Sequence, residues 1–162
     1  MEVEVRSSAS SAPPASRVRR LLGRAARGLR DRHREVSVLF CGDRRMTGLN
    51  RRWRRENRST DVLAFPAAAG DAGFLGDIVI SVPYAMRQAR RRGEPPSREI
   101  DRLLVHGYLH LLGYDHDTDR GEMDALEARL RRKLGIEERP TRVRSSPHDS
   151  RFPIPGSRRT AR

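Results

Sequence analysis

The chain of 162 residues is poor in cysteine, in lysine and in long hydrophobic runs. Cys41 is its single cysteine, so an intrachain disulfide and a metal site built from thiolates are excluded. No stretch approaches the roughly 20 apolar residues of a membrane span, and the first residues lack the basic and then apolar order of a signal peptide. We therefore expect a soluble protein, without a membrane partner, in the reducing cytoplasm.

Charge is plentiful and mostly of one sign. The chain holds 34 basic and 21 acidic residues, which gives a net charge of +13 and a pI near 11.4. Such a balance usually points to a polyanionic partner such as nucleic acid. Lys133 is the only lysine, however, and an arginine bias of this kind also arises from a GC-rich coding sequence. The charge favours RNA binding, with solvated arginine faces and a charged tail as the alternative.

Hydrophobic periodicity divides the chain into strands and helices. Strand patterns cover residues 2–6, 36–41, 62–65 and 76–81, and helical patterns cover residues 15–30, 45–55, 83–92 and 123–134. The second of these helices is expected to turn Met46, Leu49 and Trp53 towards the core. A further helix is expected to begin at Ser97 as its N-cap and to end at Gly113. It is apolar almost all round, which is typical of a buried helix.

Short strands interspersed with helices predict an α+β fold. We expect one domain with a small mixed sheet of three to four strands, packed by about five helices. Residues 1–16 are predicted to form an N-terminal edge strand and a flexible linker. Residues 17–137 are predicted to form the folded domain, with a metal site on the buried helix and the loop after it. Residues 138–162 are predicted to be a disordered basic tail.

Three of the five histidines lie within the run HGYLHLLGYDH. His106 and His110 are four residues apart, so on a helix they share one face and can reach the same ion. Gly113 can adopt a left-handed conformation that ends the helix and returns His116 towards that ion. Three imidazoles leave a fourth tetrahedral position for water, which is typical of a catalytic zinc. The alternative is that these are ordinary packing or surface histidines.

A zinc ion in such a site makes hydrolysis the natural class of reaction. The spacing is also that of the metzincin peptidases, whose pattern places a glutamate directly after the first histidine as general base. Here that position is Gly107, which cannot accept a proton, so a metallopeptidase is the second hypothesis. Met123 is a candidate for the methionine turn of those peptidases. It fits the apolar stripe of the last helix, however, so we expect it to pack in the core.

The histidine run resembles the YbeY family of bacterial rRNA-maturation endoribonucleases. The same resemblance extends upstream to GDIVIS (Gly76 to Ser81) and to WRRENRSTDVLAFP (Trp53 to Pro66), and matching segments run from about Val18 to Gly135. Two positions depart from the family pattern. Ala64 replaces a usual serine, and Ser59 replaces a common proline; we expect both changes to be tolerated.

The resemblance implies a zinc-dependent endoribonuclease that acts on single-stranded RNA in rRNA maturation, at the 3′ end of 16S rRNA, and in ribosome quality control. It implies one Zn²⁺ per chain on His106, His110 and His116, and it places the functional arginine of the family at Arg54. Partners would be rRNA precursors and the ribosome or ribosomal proteins, with no DNA expected. A guanidinium at Arg54 can bind a phosphate in bidentate fashion and oppose the charge that grows on phosphorus. A ribosome-assembly factor with a purely structural metal is the third hypothesis.

Several polar residues stay outside the predicted site. Asp115 and Asp117 flank His116 and can orient its ring, although aspartate in a turn more often caps the local backbone. Asp61 and Asp77 are expected in turn or sheet-edge roles. Trp53 can stack on a base, but a lone tryptophan on an apolar helical face is more often part of the core.

Overall fold

A computed structural model describes residues 1–32, 35–68, 73–114 and 121–136. In chain order its elements are β1 (Glu2–Ser7), α1 (Ala15–Leu29), β2 (Glu35–Cys41), α2 (Asp43–Arg54), β3 (Val62–Pro66), β4 (Phe74–Ser81), α3 (Val82–Arg92), α4 (Pro96–Leu111) and α5 (Glu122–Leu134). The prediction of an α+β domain with a small mixed sheet and about five helices is confirmed.

The sheet has the strand order β1-β2-β4-β3. β1 pairs with β2 and β2 with β4 in parallel, whereas β3 is antiparallel to β4 and forms one edge of the sheet. Parallel neighbours need a crossover, and α1 supplies it between β1 and β2. β1 is thus the other edge strand of the sheet. The boundary predicted after residue 16 falls inside α1, which begins at Ala15.

Alternation along the strands gives the sheet two different faces. One face carries the main hydrophobic core, in which α4 contacts β3, β4 and the helices α1, α3 and α5. The other face carries a smaller cluster of Cys41, Met46, Leu63 and Val79 beside α2. In β3, Val62 and Ala64 pack against the main core, while Leu63 and Phe65 belong to the cluster on the α2 side.

The helix α4 is the buried one that the sequence predicted. Apolar side chains such as Leu104, Val105 and Leu109 are at most 1% exposed. The helix begins at Pro96 with Pro95 as its N-cap, so the prediction of Ser97 as N-cap is wrong. Proline fits the first helical position because its missing N–H has no partner there in any case.

The C-terminus of α4 agrees with the role predicted for Gly113. This glycine has φ +89°, and its N–H donates to the His110 carbonyl at 3.0 Å. The next N–H, of Tyr114, donates to the Leu109 carbonyl at 3.1 Å. The left-handed conformation of Gly113 allows both hydrogen bonds to form, and it ends the helix and turns the chain.

One core assignment is wrong. Met46 is fully buried and Leu49 is partly buried, but Trp53 is 61% exposed at the end of α2. In the last turn of α2 the Trp53 ring has a tilted contact with the Phe65 ring, which leaves most of the indole open to solvent. The predicted tail, residues 138–162, lies outside the described residues. Within the ranges that the structure describes, no helix is long and apolar enough to cross a membrane.

Candidate metal centre and cleft

Two histidines converge on one turn of α4. The Nε2 atoms of His106 and His110 are 3.0 Å apart, and the ring planes are inclined at 73°. Both side chains are half-buried, at the mouth of a cleft and not inside the core. The helical spacing therefore produces the shared orientation that the sequence predicted for these two residues.

A glutamate on α5 fixes the ring of His106. The Nδ1 atom of His106 lies 3.1 Å from Oε2 of Glu127, a buried residue that is 7% exposed. An ionised carboxylate can only accept, so Nδ1 carries the hydrogen of this bond, and in the neutral ring the lone pair is then on Nε2, the atom that faces Nε2 of His110. Arg131, one turn further along α5, holds the other oxygen of Glu127 at 3.6 Å. Carboxylates that orient a metal-binding imidazole in this way are typical of metal centres.

The histidine pair has a geometry that fits a metal ion. Two imidazole ligands on a tetrahedral zinc, each about 2.0–2.1 Å from it, have nitrogen atoms about 3.3 Å apart. The observed 3.0 Å is close to that value. His116, Asp115 and Asp117 lie outside the described residues. Within the described part of the chain no group of three His, Cys, Asp or Glu side chains could hold a metal, so the third ligand stays a prediction.

The pair faces a cleft of about 510 Å³ between α4, β3 and the end of α2. Its walls come from α4, β3, the loop before β3 and the turn after α4, and they include Arg54, Thr60, Asp61, Val62, Ala64, Pro66, His106, Gly107, His110, Gly113 and Tyr114. Arg54 therefore shares the cleft with both histidines although it lies about fifty residues away in sequence. The structure brings three of the four predicted site residues to one cavity.

Arg54 is the last residue of α2, and the turn after it is firmly held. Arg55 ends the helix in a left-handed conformation with φ +59°. The buried Asn50 donates from Nδ2 to the Arg58 carbonyl at 2.9 Å, which fastens the following loop to the helix. Arg54 itself is exposed on the cleft wall. Its guanidinium is therefore accessible to a ligand that enters the cleft.

Asp43, which the sequence reasoning missed, ties together the elements around that wall. Its carboxylate accepts from the Ser59 and Ser81 hydroxyls at 2.8 Å each and from Arg87 at 2.7 Å. These bonds, the one from Arg87 above all, lower its pKa from 3.8 to about 2. Ser59, which departs from the family pattern, thus makes a specific contact. The carboxylate joins the start of α2, the loop before β3 and the start of α3.

Asp61 has the turn role that was expected of it. Its Oδ1 accepts from its neighbours, the Val62 N–H at 2.8 Å and the Thr60 hydroxyl at 3.1 Å. Its Oδ2 accepts from Gln88 on α3 at 2.9 Å. Asp77, by contrast, lies inside β4 and not at its start, because that strand begins at Phe74.

Gly107 lies where α4 approaches the sheet most closely. A Cβ at this position would be 2.9 Å from Cγ2 of Ile78 and 3.3 Å from Cγ2 of Val62. A glutamate of the metzincin type would therefore require Ile78, Val62 or the helix to shift. The close packing of α4 on the sheet explains why this position is glycine. The same glycine leaves the position without a general base.

Fold and site together define a single-domain α+β protein with a polar cleft built around two convergent histidines and an arginine. The family model described as Endoribonuclease YbeY matches residues 6–135. An Endoribonuclease YbeY of Anaeromyxobacter sp. is 46% identical over 128 residues, which cover 75% of this chain and 67% of the relative. That of Koribacter versatilis is 46% identical over 113 residues, with 70% and 71% covered. The chain belongs to the YbeY family.

A solved structure supports the fold. The solution structure of a Thermotoga maritima protein aligns with 82% of this chain and 89% of its own, with a TM-score of 0.60 and 23% sequence identity. At that identity the likeness concerns the arrangement of helices and strands alone.

Proposed function

We propose that the protein is a zinc-dependent endoribonuclease that cleaves single-stranded RNA. The observation that carries the proposal is the meeting of His106, His110 and Arg54 in one cleft of a YbeY-family fold. We further propose that its substrates are rRNA precursors, including the 3′ end of 16S rRNA. It would act in the cytoplasm, in rRNA maturation and ribosome quality control, with the ribosome or ribosomal proteins as partners.

His106, His110 and His116 would hold the zinc through ring nitrogens. The orientation of the His106 ring by Glu127 and the 3.0 Å separation of the two Nε2 atoms support this assignment. Once bound, zinc supplies a Lewis acid that polarises phosphoryl oxygens and lowers the pKa of water. Glu127 keeps His106 in the tautomer that binds through Nε2.

Arg54 would bind the scissile phosphate. Its planar guanidinium can donate two parallel hydrogen bonds to non-bridging oxygens and can oppose the charge that grows during attack. Its position at the end of α2, held by the Asn50 and Asp43 bonds, keeps it beside the histidines. In the reaction the nucleophile, which is water or alternatively the neighbouring 2′-hydroxyl, adds to phosphorus, one P–O ester bond breaks, and a proton ends on the departing oxygen.

Cleft size and charge support RNA in single-stranded form. A volume of about 510 Å³ falls within the range of sites that enclose small ligands, about 300–1,000 Å³. It suits a short flexible segment better than a duplex. The net charge of +13 favours a polyanion.

The metallopeptidase hypothesis loses support from the surroundings of Gly107. The mechanism of those enzymes needs a carboxylate at this position, and Ile78 leaves too little space even for a methyl group. The structural-metal hypothesis differs from ours in one consequence, which is that intact protein would never cut RNA.

The test compares purified wild type with Arg54→Ala and His110→Ala on a single-stranded RNA and on its duplex. Arg91→Ala is the matched control, an exposed arginine on α3 outside the cleft. We expect cleavage of the single strand by wild type and by the control, loss with a chelator and recovery with Zn²⁺. Arg54→Ala should lose about 100- to 1,000-fold in rate with unchanged thermal stability, since a single contact that stabilises the transition state typically contributes about 2.7–4 kcal/mol.

Two results would contradict the proposal. Full activity of Arg54→Ala would remove its phosphate-binding role. Unfolding on chelation, together with no cleavage by zinc-loaded protein, would support the assembly-factor hypothesis instead. A substrate with a single 2′-deoxy nucleotide at the cleaved position tests the nucleophile, because attack by water does not require the 2′-hydroxyl.

A further inference from the structure

Trp53, in the last turn of α2, exposes its large apolar indole to solvent. It is the only tryptophan of the chain, and 61% of its surface is open to solvent. Tryptophan is highly buried on average, so an open indole beside a functional cleft indicates a surface that binds something. The structure describes no helix or strand covering it.

Two neighbours hold the indole in place. The Phe65 ring lies 5.8 Å from it, centroid to centroid, in a tilted arrangement, and the Arg52 guanidinium lies 5.6 Å from its ring centroid. Such contacts restrict the side chain without covering it, at a low entropic cost to any later partner. The indole is therefore a preorganised flat surface.

That surface lies across the edge strand β3 from the cleft. Val62, Ala64 and Pro66 of β3 line the cleft, while Phe65, between the last two, faces the other side and meets Trp53. Trp53 also directly precedes Arg54 in the chain. A strand of nucleic acid that leaves the cleft over the outer edge of β3 passes to the side of that strand on which Phe65 and the indole lie.

The charges around Trp53 favour nucleic acid over a protein partner. Residues 51–58 contain five arginines and a single glutamate, Glu56, which pairs with Arg58 at 2.6 Å. An aromatic ring among arginines is the arrangement by which proteins bind single strands without reading sequence. An apolar protein surface would instead have to desolvate these cations.

We propose that Trp53 stacks on the base of the nucleotide next to the one whose phosphate Arg54 binds. The inference rests on the proposed function and adds a second contact point for the RNA strand. Stacking is tolerant of sequence, so the platform would select for an unpaired base and not for a particular one. A base inside a duplex is already stacked and cannot reach it.

The experiment uses full-length zinc-loaded protein and a short single-stranded RNA with one mapped cleavage site. Each nucleotide flanking that site is replaced in turn by an abasic one, which keeps the phosphate but removes the base. Wild type, Trp53→Ala and Trp53→Phe are compared, with Met86→Ala as control, because Met86 is also exposed but lies on α3. The readouts are KM and kcat, and the quenching of tryptophan fluorescence, which comes from Trp53 alone.

We expect Trp53→Ala to raise KM at least about fivefold with kcat nearly unchanged, and Trp53→Phe to recover most of the loss. One abasic position should weaken binding to wild type by a similar factor and have no effect on Trp53→Ala. Unquenched fluorescence with saturating RNA, or an unchanged KM in Trp53→Ala, would overturn the platform. Loss of ribosome binding by Trp53→Ala with an unchanged RNA KM would overturn the platform and assign Trp53 to a contact with the ribosome instead. If wild type neither binds nor cuts any RNA, the proposed function itself fails.

Discussion

Replacing Gly107 with alanine should destabilise the fold, whereas the same replacement at Gly48 should stabilise it. Both glycines lie inside helices, Gly107 in α4 and Gly48 in α2. Alanine is favoured over glycine in a helix by about 1 kcal/mol. A Cβ at Gly48 meets no atom within 4 Å, so the exposed site should show most of that gain.

At Gly107 the clash of an added methyl group outweighs the helical gain from alanine. An added Cβ would lie 2.9 Å from Cγ2 of Ile78, well inside the optimum of about 3.5–4.0 Å between carbon atoms. Ile78 is fully buried in β4 and cannot turn away without disturbing the core. Overpacking of this kind costs about 1–3 kcal/mol. After the helical gain is subtracted, Gly107→Ala should be less stable than wild type by about 1 kcal/mol, and less stable than Gly48→Ala by about 1–3 kcal/mol.

Urea unfolding of the three proteins measures this difference. We expect the midpoint to fall for Gly107→Ala and to rise for Gly48→Ala, with similar slopes, because the surface exposed on unfolding barely changes. Equal stabilisation of both variants would show that α4 does not approach the sheet closely at Gly107. The explanation of why this position lacks a glutamate would then be wrong as well.

Three further predictions concern hydrogen bonds of the fold and the site. Asp43→Asn should lower stability at neutral pH by about 1 kcal/mol after allowance for solvent screening. Because the pKa of Asp43 is lowered from 3.8 to about 2, the stability that its carboxylate contributes is present above pH 3.8 and disappears as the pH falls through 2. A difference in stability between Asp43→Asn and wild type that does not shrink in acid would contradict this prediction. Tyr108→Phe removes the hydroxyl that donates to Asp31 from a fully buried ring, and should cost about 2 kcal/mol in the same unfolding assay; an unchanged midpoint would argue against that bond. Glu127→Ala should weaken zinc binding about 10- to 100-fold in competition with a chelator, whereas the exposed Glu122→Ala on the same helix should not; equal affinities would separate Glu127 from the metal centre.

Much of the fold could be predicted from local pattern because each helix and strand carries its own signals. Gly93, Gly113 and Gly135 follow helices and adopt positive φ, as expected of glycines that end a helix. The predicted strands differ from the observed ones by at most two residues at either end. Strand order and direction had no such local signal, since they depend on which apolar faces meet in three dimensions.

Trp53 and Ser97 show where local pattern fails. Helical spacing places Trp53 on the same face as Met46, but whether that face is covered depends on how far the sheet extends beneath α2. At Trp53 the contact with Phe65 of β3 leaves the indole 61% exposed. At α4, Pro96 already starts the helix, and Ser97 is exposed within its first turn. In both cases the competing information is tertiary or comes from an adjacent proline.

Glu127 differs from Trp53 and Ser97, because the apolar stripe of α5 in the sequence already indicates where its partner, His106, lies. It lies on the buried face with Met123 and Leu130, and that face packs on α4. A buried carboxylate must find a donor or pay a large desolvation cost. Arg131, four residues further along α5, engages one oxygen of the carboxylate. For the other oxygen, the second half of α4 offers only His106, Tyr108 and His110 as polar side chains, and the tyrosine hydroxyl is already bound to Asp31. A charged residue on an apolar stripe opposite two histidines therefore identifies the group that orients one of them, even where no motif includes it.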